Sequence, residues 1–588
     1  MPAFAIAPTF LSDFTRLTPD VQLDTLAVMR AHQAGESTDL ETVADAADPR
    51  VRVLAISPDW SGVVVPEQDD RYRLLTVRPR DEALSFARGL HPDIPVGPEP
   101  VDPRPIGPPE LAEALTAPFD EWRLTLHPDH LRFAKGHFHG SAQFTGGPGT
   151  GKTVLALRRA AHLAERNAAA RPEQSHESIL LTTHNRTLAQ TLADRLDQLL
   201  PDPRVRSRVR VATIDGLAHS VVQSHTSTSP RLIGRDELAQ RWRAIALADG
   251  IPFSGRFLVD EWEQVLLAQN LALLPEYIRS ERSGRVQHLA PEHRRQVWET
   301  LRRYVGAMRI EGLWACPQLA AEAARVLDLH GPLFQHAVVV ESQDLHPTQW
   351  RMLRAAVPEG TDDLFLVGDP HQRITEHRVS LASLGIHVRG RSHRLRVAYR
   401  TTQEILDWSA PILGPRADRG ASDEDDTPFG YRSLLRGPAP VIRGCGSRTE
   451  EYTAMGDQVR AWLEAGVDPA EIAVAGRNQW VVRNAAKELE ARDVRTTTLE
   501  NTSDHPAVRL GTMHRLQGQE FRCVVMVGLS DHLLPPKAAI EAAEGDQVAL
   551  EHTVQQERTL LFAACTRARD SLYVSYVGSP SRLIATHH

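Results

Sequence analysis

Residues 144–166 read FTGGPGTGKTVLALRRAAHLAER. A short apolar start runs into a glycine-dense turn, and a long helical stretch follows. From Gly146 to Thr153 the turn fits the spacing G-x-x-x-x-G-K-[ST]. Glycine reaches backbone angles closed to other residues, so successive N–H groups turn inward and cradle phosphate oxygens. Gly146, Gly147, Pro148, Gly149, Thr150 and Gly151 supply that cradle. Lys152 brings a point charge to the phosphates, and the Thr153 hydroxyl is a ligand for Mg²⁺. The helix after the turn aims its positive dipole end at the same place. Lysine is scarce here: Lys135, Lys152, Lys487 and Lys537 are the four in 588 residues, so a lysine at a motif position carries weight. The stretch predicts a strand, a phosphate loop and a helix in an α/β domain that binds a nucleotide.

The rest of the composition sets bounds. Hydrophobic residues make up 41% and charged residues 24%, as in globular proteins, and the length calls for several domains. No apolar run approaches the ~20 residues of a membrane span. The N-terminal MPAFAIAPTFLSDF lacks the basic start of a signal peptide. Cys316, Cys445, Cys523 and Cys565 are far apart, without metal-ligand spacing, which predicts free thiols in a reducing cytoplasm. Net charge is -8, so a nucleic acid needs a local groove rather than a global basic field.

Further along, VVVESQDLHPTQW (338–350) and LFLVGDPHQRI (364–374) read as buried parallel strands that end in polar residues. They place Glu341, Asp369 and Gln372 at strand ends. RLRVAYRTT (394–402) offers Tyr399 and Arg400. LGTMHRLQGQEF (510–521) offers Thr512, His514, Gly518 and Glu520, and LLFAACTRARD (560–570) offers Arg567. In order and spacing these stretches, with TIDGLAHS (213–220), resemble the UvrD/Rep/PcrA group of superfamily 1 helicases over about residues 121–580.

The resemblance implies two RecA-like P-loop NTPase domains with ATP and Mg²⁺ between them, moving 3′-to-5′ on single-stranded DNA or DNA junctions. It implies that Glu341 polarises water and Gln372 senses the γ-phosphate. Arg400 and Arg567 would stabilise the transferring phosphoryl group, and Tyr399 would stack on adenine with His130 beside it. Glu520 would contact ribose and Gly518 the phosphate side. Thr183, His184, Thr213, His377 and His514 would face DNA.

The chain departs from that pattern in places. Val340 stands where an aspartate steadies Mg²⁺; that loss predicts a drop in hydrolysis on the order of 10²–10³-fold, about 3–4 kcal/mol of barrier. His130 stands for an adenine-reading glutamine, Asp215 for a histidine and Gln517 for a lysine. Thr375 and His377 stand where stacking aromatics are expected, and His184 is a reduced aromatic. LENTSDHPAV (499–508) bridges the place of a second large insertion.

The expected organisation follows. Residues 1–92 form a small α+β unit: strand, helices, three strands (VRVLAIS, GVVVPE, YRLLTVR) and a helix. Its order resembles the RelE/ParE toxin fold, with Ser61, Gly62 and Leu84 where arginine and tyrosine chemistry would sit, so a docking module for a protein or nucleic acid is expected. Residues 93–120 are a proline-rich linker. Residues 121–220 and 334–392 form the first RecA-like domain around a helical insertion at 221–333, which lacks strand signals and is anchored by Trp242, Trp262, Trp298 and Trp314. Within it Arg279, Arg282 and Arg285 either track phosphates or form a solvated face. Residues 393–588 form the second domain, with an acidic loop at 417–430. Two alternatives to a motor stay open. One is a nucleotide-held clamp with impaired hydrolysis, including a HelD-like polymerase remodeller, which the missing N-terminal coiled coil disfavours. The other is an RNase with an accessory ATPase.

Overall fold

The computed structural model describes residues 4–6, 10, 14, 17–33, 40–43, 51–66, 72–88, 104–105, 115, 118–173, 176–226, 229–282, 289–369, 380–414, 432–499, 505–542 and 547–584. The chain divides into two compact units, Met1–Glu99 and Pro100–His588.

The first unit holds β1 (Phe4–Ile6), α1 (Pro19–Gln33), β2 (Leu40–Thr42), β3 (Arg52–Ala55), β4 (Trp60–Pro66), β5 (Tyr72–Pro79) and α2 (Arg80–Arg88). The sheet order is β1-β5-β4-β3-β2, with β1 parallel to β5 and every other pair antiparallel. Four strands, not three, follow α1. The extra one, β2, is three residues long with both Glu41 and Thr42 exposed, too short and polar to show alternation in sequence. Alternation along β4 and β5 sends Val64, Leu74 and Val77 to one core and Val63 to the other, where Ala83 and Ala87 of α2 cover the sheet.

In the second unit the phosphate-loop strand β6 (Ala142–Gly146) is an inner strand, next to the edge of its sheet. Around it lie β7 (Ile179–Thr183), β8 (Val209–Thr213), β9 (His336–Val340), β10 (Leu364–Gly368) and β11 (Ser392–Leu395) in the order β11-β6-β10-β9-β7-β8, all parallel. Parallel strands need crossovers, and helices supply them on both faces. One face carries α3 (Pro128–Lys135), α4 (Lys152–Ala170) and α5 (Arg186–Leu199), packing Leu155, Ala156 and Leu188 against Phe144, Val338 and Val367. The other carries α6 (Ile214–Gln223), α10 (Cys316–His330) and α11 (Pro347–Ala356), packing Leu217, Leu319 and Trp350 against Val339 and Leu366. With all strands parallel, every loop leaving a C-terminal strand end opens on one edge.

Between α6 and α10 stands the helical insertion: α7 (Arg235–Ala248), α8 (Gly255–Glu261), a π-helical turn (Trp262–Leu267) and α9 (Pro291–Ile310). Trp242, Trp262, Trp298, Tyr277 and Tyr304 form its own core. Trp314 instead packs against the core of the first parallel sheet. Strands are present here too: Arg231–Leu232 pairs in parallel with Leu313–Trp314 at the insertion's base. Two-residue strands leave no periodicity to read in sequence. Arg282 donates to both oxygens of Glu261 at 2.7 Å and is buried, so it holds the insertion together rather than tracking phosphates. Arg279 is exposed and donates to Pro275 O; Arg285 lies outside the described residues.

A second parallel sheet follows. Its strands are β12 (Val441–Cys445), β13 (Ile472–Gly476), β14 (Thr496–Thr498), β15 (Val508–Thr512), β16 (Phe521–Val527) and β17 (Ala568–Val577), in the order β12-β17-β16-β13-β15-β14. Helices α12 (Arg448–Glu464) and α13 (Gln479–Glu490) cover one face with Met455, Val459, Trp462 and Val481, and α14 (Gln547–Cys565) covers the other with Leu561 and Phe562. Cys445, Cys523 and Cys565 are buried free thiols, and Cys316 is half-buried and free. No helix among the described residues is long and apolar enough to cross a membrane.

Much of the proline-rich 93–120 stretch and all of the acidic 417–430 loop lie outside the described residues. Arg104–Pro105, within the expected linker, forms an antiparallel pair with Leu435–Arg436. That stretch is therefore not a free spacer at this point.

Candidate functional site

The loop between β6 and α4 has the form that its glycines predict. Gly149 and Gly151 take φ of +69° and +80°, in the left-handed region where a side chain is strained. Thr150 Oγ1 donates to Gly147 O at 2.8 Å and closes the turn. Lys152 folds over the loop, donating from Nζ to Gly146 O and Gly147 O at 2.8 Å each. Burial pushes its ammonium pKa down, and the carboxylates of Asp369 and Glu341 oppose that. The loop thus concentrates a lysine and inward N–H groups at the edge of a parallel sheet, where phosphate groups bind.

Glu341 follows β9 at φ +55°, a turn that carries it out of the strand. Gln343, to which the sequence assigned no role, ties the strand ends together. Its Nε2 donates to Glu341 Oε2 at 2.8 Å, and its Oε1 accepts from Asp369 N at 3.0 Å. Val340 is buried in one apolar cluster with Leu155, Ala156, Val338 and Val367. No carboxylate stands at that position. Among the described residues no group of three or more His, Cys, Asp or Glu is arranged for a metal ion. Thr153, half-buried on the first turn of α4, and Asp369, buried after β10, are the groups that fit Mg²⁺. Gln372, Thr375 and His377 lie outside the described residues.

The second sheet's side of the site is built around Glu520. Arg400, from the segment after β11, donates from Nε and Nη2 to the two Glu520 oxygens at 2.6 Å each. Arg400 also donates to the carbonyls of Arg123 and Thr125 and lies 4.3 Å over the Trp122 ring. Arg569 covers Trp122 as well, at 4.6 Å. Arg123 Nη2 donates to Glu520 O at 2.7 Å, and Arg195 of α5 stands 3.8 Å from its carboxylate. Burial would raise the Glu520 carboxyl, but Arg400, Arg195 and Arg567 outweigh it and hold the group at about 2. Arg195 is pushed down to about 10 by burial, against the pull of Glu520. Arg567 hangs from the end of α14, with Nε donating to Ala563 O, and its charge reaches both Lys152 and Glu520.

Tyr399 is fully buried, and its N–H donates to Gly149 O at 2.9 Å. Its hydroxyl accepts from His127 N at 3.3 Å and lies over Gly151, where a Cβ would come within 2.0 Å of it. His127 and His130 flank it, with ring centroids 5.6 and 6.2 Å away. Burial, then the neighbouring His127, lowers His130 to about 4, so its imidazole is neutral near pH 7. Its buried Nδ1 has no hydrogen-bond partner among the described residues.

The structure therefore brings Lys152, Glu341, Arg567, Tyr399 and His130 to one place. Arg400 and Glu520, expected on phosphate and ribose, are paired with each other. Gly518, expected on the phosphate side, packs against Leu188 of α5: φ is +76°, and a Cβ would meet Leu188 Cδ1 at 2.5 Å. Trp122, Arg123 and Arg195 were missed in the sequence, and Gln343 was read within its motif but given no role. The EWR run at 121–123, aromatic beside basic, was the one local signal available.

Of the residues expected on DNA, Thr183, His184 and Thr213 lie at the C-terminal strand ends of the first sheet. Thr183 and Thr213 end β7 and β8 directly opposite one another. Thr183 Oγ1 and His184 Nδ1 are buried without partners among the described residues. Thr213 Oγ1 caps α6 by accepting from Gly216 N at 3.1 Å. Asp215 Oδ1 accepts from Gln349 Nε2 at 2.8 Å, and burial raises its carboxyl pKa. His514 is exposed just past Thr512, which ends β15.

A phosphate loop on one parallel sheet, faced by arginines from the segments around a second, defines a P-loop α/β protein with a candidate nucleotide site. Comparison narrows this class. Residues 129–384 match the family model of the UvrD/REP helicase N-terminal domain, and residues 489–579 match that of the UvrD-like helicase C-terminal domain. Both halves of one helicase core are matched in chain order, together over more than half of the chain, and the chain belongs to the UvrD-type superfamily 1 helicases. It is similar to a putative ATP-dependent DNA helicase YjcD of Bacillus subtilis (strain 168), 42% identical over 77 residues, which is 13% of this chain and 10% of the relative. It is also similar to the ATP-dependent DNA helicase PcrA of Staphylococcus aureus (strain MRSA252), 35% identical over 81 residues, 14% of this chain and 10% of that one. These matches span about a tenth of the curated relatives' length. A solved C-terminal domain of a possible DNA helicase from Lactobacillus plantarum WCFS1 aligns at 22% identity with a TM-score of 0.23, over 32% of this chain and 92% of that one.

Proposed function

We propose that this chain is an ATP-driven translocase on single-stranded DNA. The observation that carries this reading is the meeting of Lys152, on the first sheet's phosphate loop, with Arg567 and with Glu520, which Arg400 holds. A triphosphate bound by the loop presents its charge to both sides. Guanidinium groups there stabilise charge on the transferring phosphoryl group, so hydrolysis alters how strongly the two sheets are held together. Glu341, fixed by Gln343, orients the attacking water. Tyr399 and the neutral His130 hold the base. Arg400 exchanges Glu520 for phosphate oxygens, which leaves Glu520 to the ribose. Thr153 and Asp369 would hold Mg²⁺, which would supply positive charge beside the phosphate oxygens. Thr183, His184, Thr213 and His514 face the DNA strand. The 3′-to-5′ direction and a place in DNA repair or defence rest on the family resemblance.

In the N-terminal unit, Ser61 is fully buried and a Cβ on Gly62 would meet Leu74 Cδ1 at 2.8 Å. Neither position presents a side chain for toxin chemistry, in keeping with a RelE/ParE-like module that docks a partner, a reading that rests on the family resemblance. A second reading, a nucleotide-held clamp, is favoured by Val340. One experiment separates the two: ATP turnover with and without single-stranded DNA, with Lys152→Ala as control. DNA-stimulated turnover of several per second, lost in Lys152→Ala, supports the translocase. Tight ATP binding with almost no turnover supports the clamp.

A further inference from the structure

Helix α13 leaves β13 at the same edge as His514, because Gly476 and Thr512 are register partners at adjacent strand ends. Asn478 caps the helix by accepting from Val481 N at 3.0 Å, which sets Trp480 on the first turn. Trp480 is 42% exposed, a large apolar ring left in solvent. The Arg448 guanidinium lies 4.7 Å from its ring centroid, and Arg448 also reaches His532 Nε2 at 3.5 Å. Arg483 and Lys487 follow at three and seven residues along the helix, both exposed. At 3.6 residues per turn these positions share one stripe with Trp480. Val481, Val482, Ala485 and Leu489 point the other way, into the core. The core therefore does not require the tryptophan or either cation.

We propose that Trp480 is a base-stacking platform for single-stranded DNA and that Arg483, Lys487 and Arg448 hold the adjoining phosphates. An aromatic ring stacks on any base, and cations beside it follow the backbone, which is the pairing that sequence-independent single-strand binding needs. The charge complementarity of the stripe selects a polyanion carrying planar bases over an apolar protein surface. The inference rests on the translocase reading and names where the second sheet grips the strand.

The test is fluorescence anisotropy of the full chain with labelled oligothymidine and with an abasic strand of equal length. Trp480→Ala weakens oligothymidine binding about tenfold and removes most of the preference for the strand with bases. Trp480→Phe restores most of both, and ATP affinity is unchanged in each. Arg483→Ala with Lys487→Ala lowers the slope of log affinity against log salt by about 1.4, roughly 0.7 for each phosphate that no longer meets a cation. Parental affinity and base preference in Trp480→Ala would overturn the proposal while leaving the translocase reading intact. No single-strand binding by the parent chain would overturn both.

Discussion

At the scale of single residues, Val340 and His130 are the departures from the family pattern that bear most directly on the proposed nucleotide site. Val340 is buried among Leu155, Val338 and Val367, so an aspartate there exchanges apolar packing for a charge. Val340→Asp is expected to cost the free chain about 1–3 kcal/mol in urea unfolding, the penalty of an unpaired buried polar group. Turnover with Mg²⁺ is expected to rise at least tenfold, because a metal carboxylate is worth several kcal/mol in the transition state. Stability and rate moving in opposite directions is the signature to look for. His130 is held at about 4, below its ordinary 6.5, by burial. The unfolded chain therefore takes up this proton first, and the stability tied to His130 is lost as pH falls from 6.5 towards 4. Melting temperature should fall across that window in the parent and less steeply in His130→Gln. The glutamine also presents both a donor and an acceptor to adenine, and preference for ATP over GTP is expected to rise about tenfold in equilibrium binding.

At the scale of elements, the phosphate loop tolerates little. Gly151→Ala places a Cβ in the left-handed region and within 2.0 Å of the Tyr399 hydroxyl, so both strain and overlap oppose it. Nucleotide affinity is expected to fall more than tenfold in a titration with a fluorescent ATP analogue. Gly306→Ala is the contrast: it sits inside α9, where a Cβ meets nothing within 4 Å, and is expected to raise stability by about 0.5–1 kcal/mol. These elements also show what a sequence reveals. The runs HAVVV and LFLVG are buried on both faces of their sheet, so unbroken apolar stretches announced them. Gly146 to Thr153 announced the loop because its chemistry is local. The arrangement of Trp122, Arg123, Arg195 and Arg569 about Glu520 and Arg400 was not legible. Its members come from separate stretches of chain and meet only once the strands have set their order. The pairing of Arg400 with Glu520 escaped for the same reason, since the resemblance assigns each to a nucleotide group.

At the scale of the whole molecule, Glu520 is the point at which three segments of chain converge. Its carboxylate faces Arg400 and Arg195, its backbone carbonyl faces Arg123, and Gly518 beside it packs on Leu188. Glu520→Gln leaves buried guanidinium groups uncompensated and is expected to destabilise by about 3–5 kcal/mol in urea unfolding. A bound triphosphate restores negative charge there, so saturating Mg-ATP should raise the melting temperature of Glu520→Gln more than that of the parent. Because the folded carboxyl is held at about 2, its contribution is intact above the ordinary value of 4.5 and is lost as pH falls between the two.

The parallel pairing of Arg231–Leu232 with Leu313–Trp314 has an evolutionary meaning. Paired strands lie about 4.8 Å apart, so the chain leaves for the helical insertion and returns from it at nearly one point. The residues between have their own core of tryptophans and tyrosines, and beyond this pairing they rest on the layer below through Arg351, which donates to Ala268 O at 3.0 Å. Such a piece is free to be lost, lengthened or exchanged by recombination while the sheet beneath keeps its order.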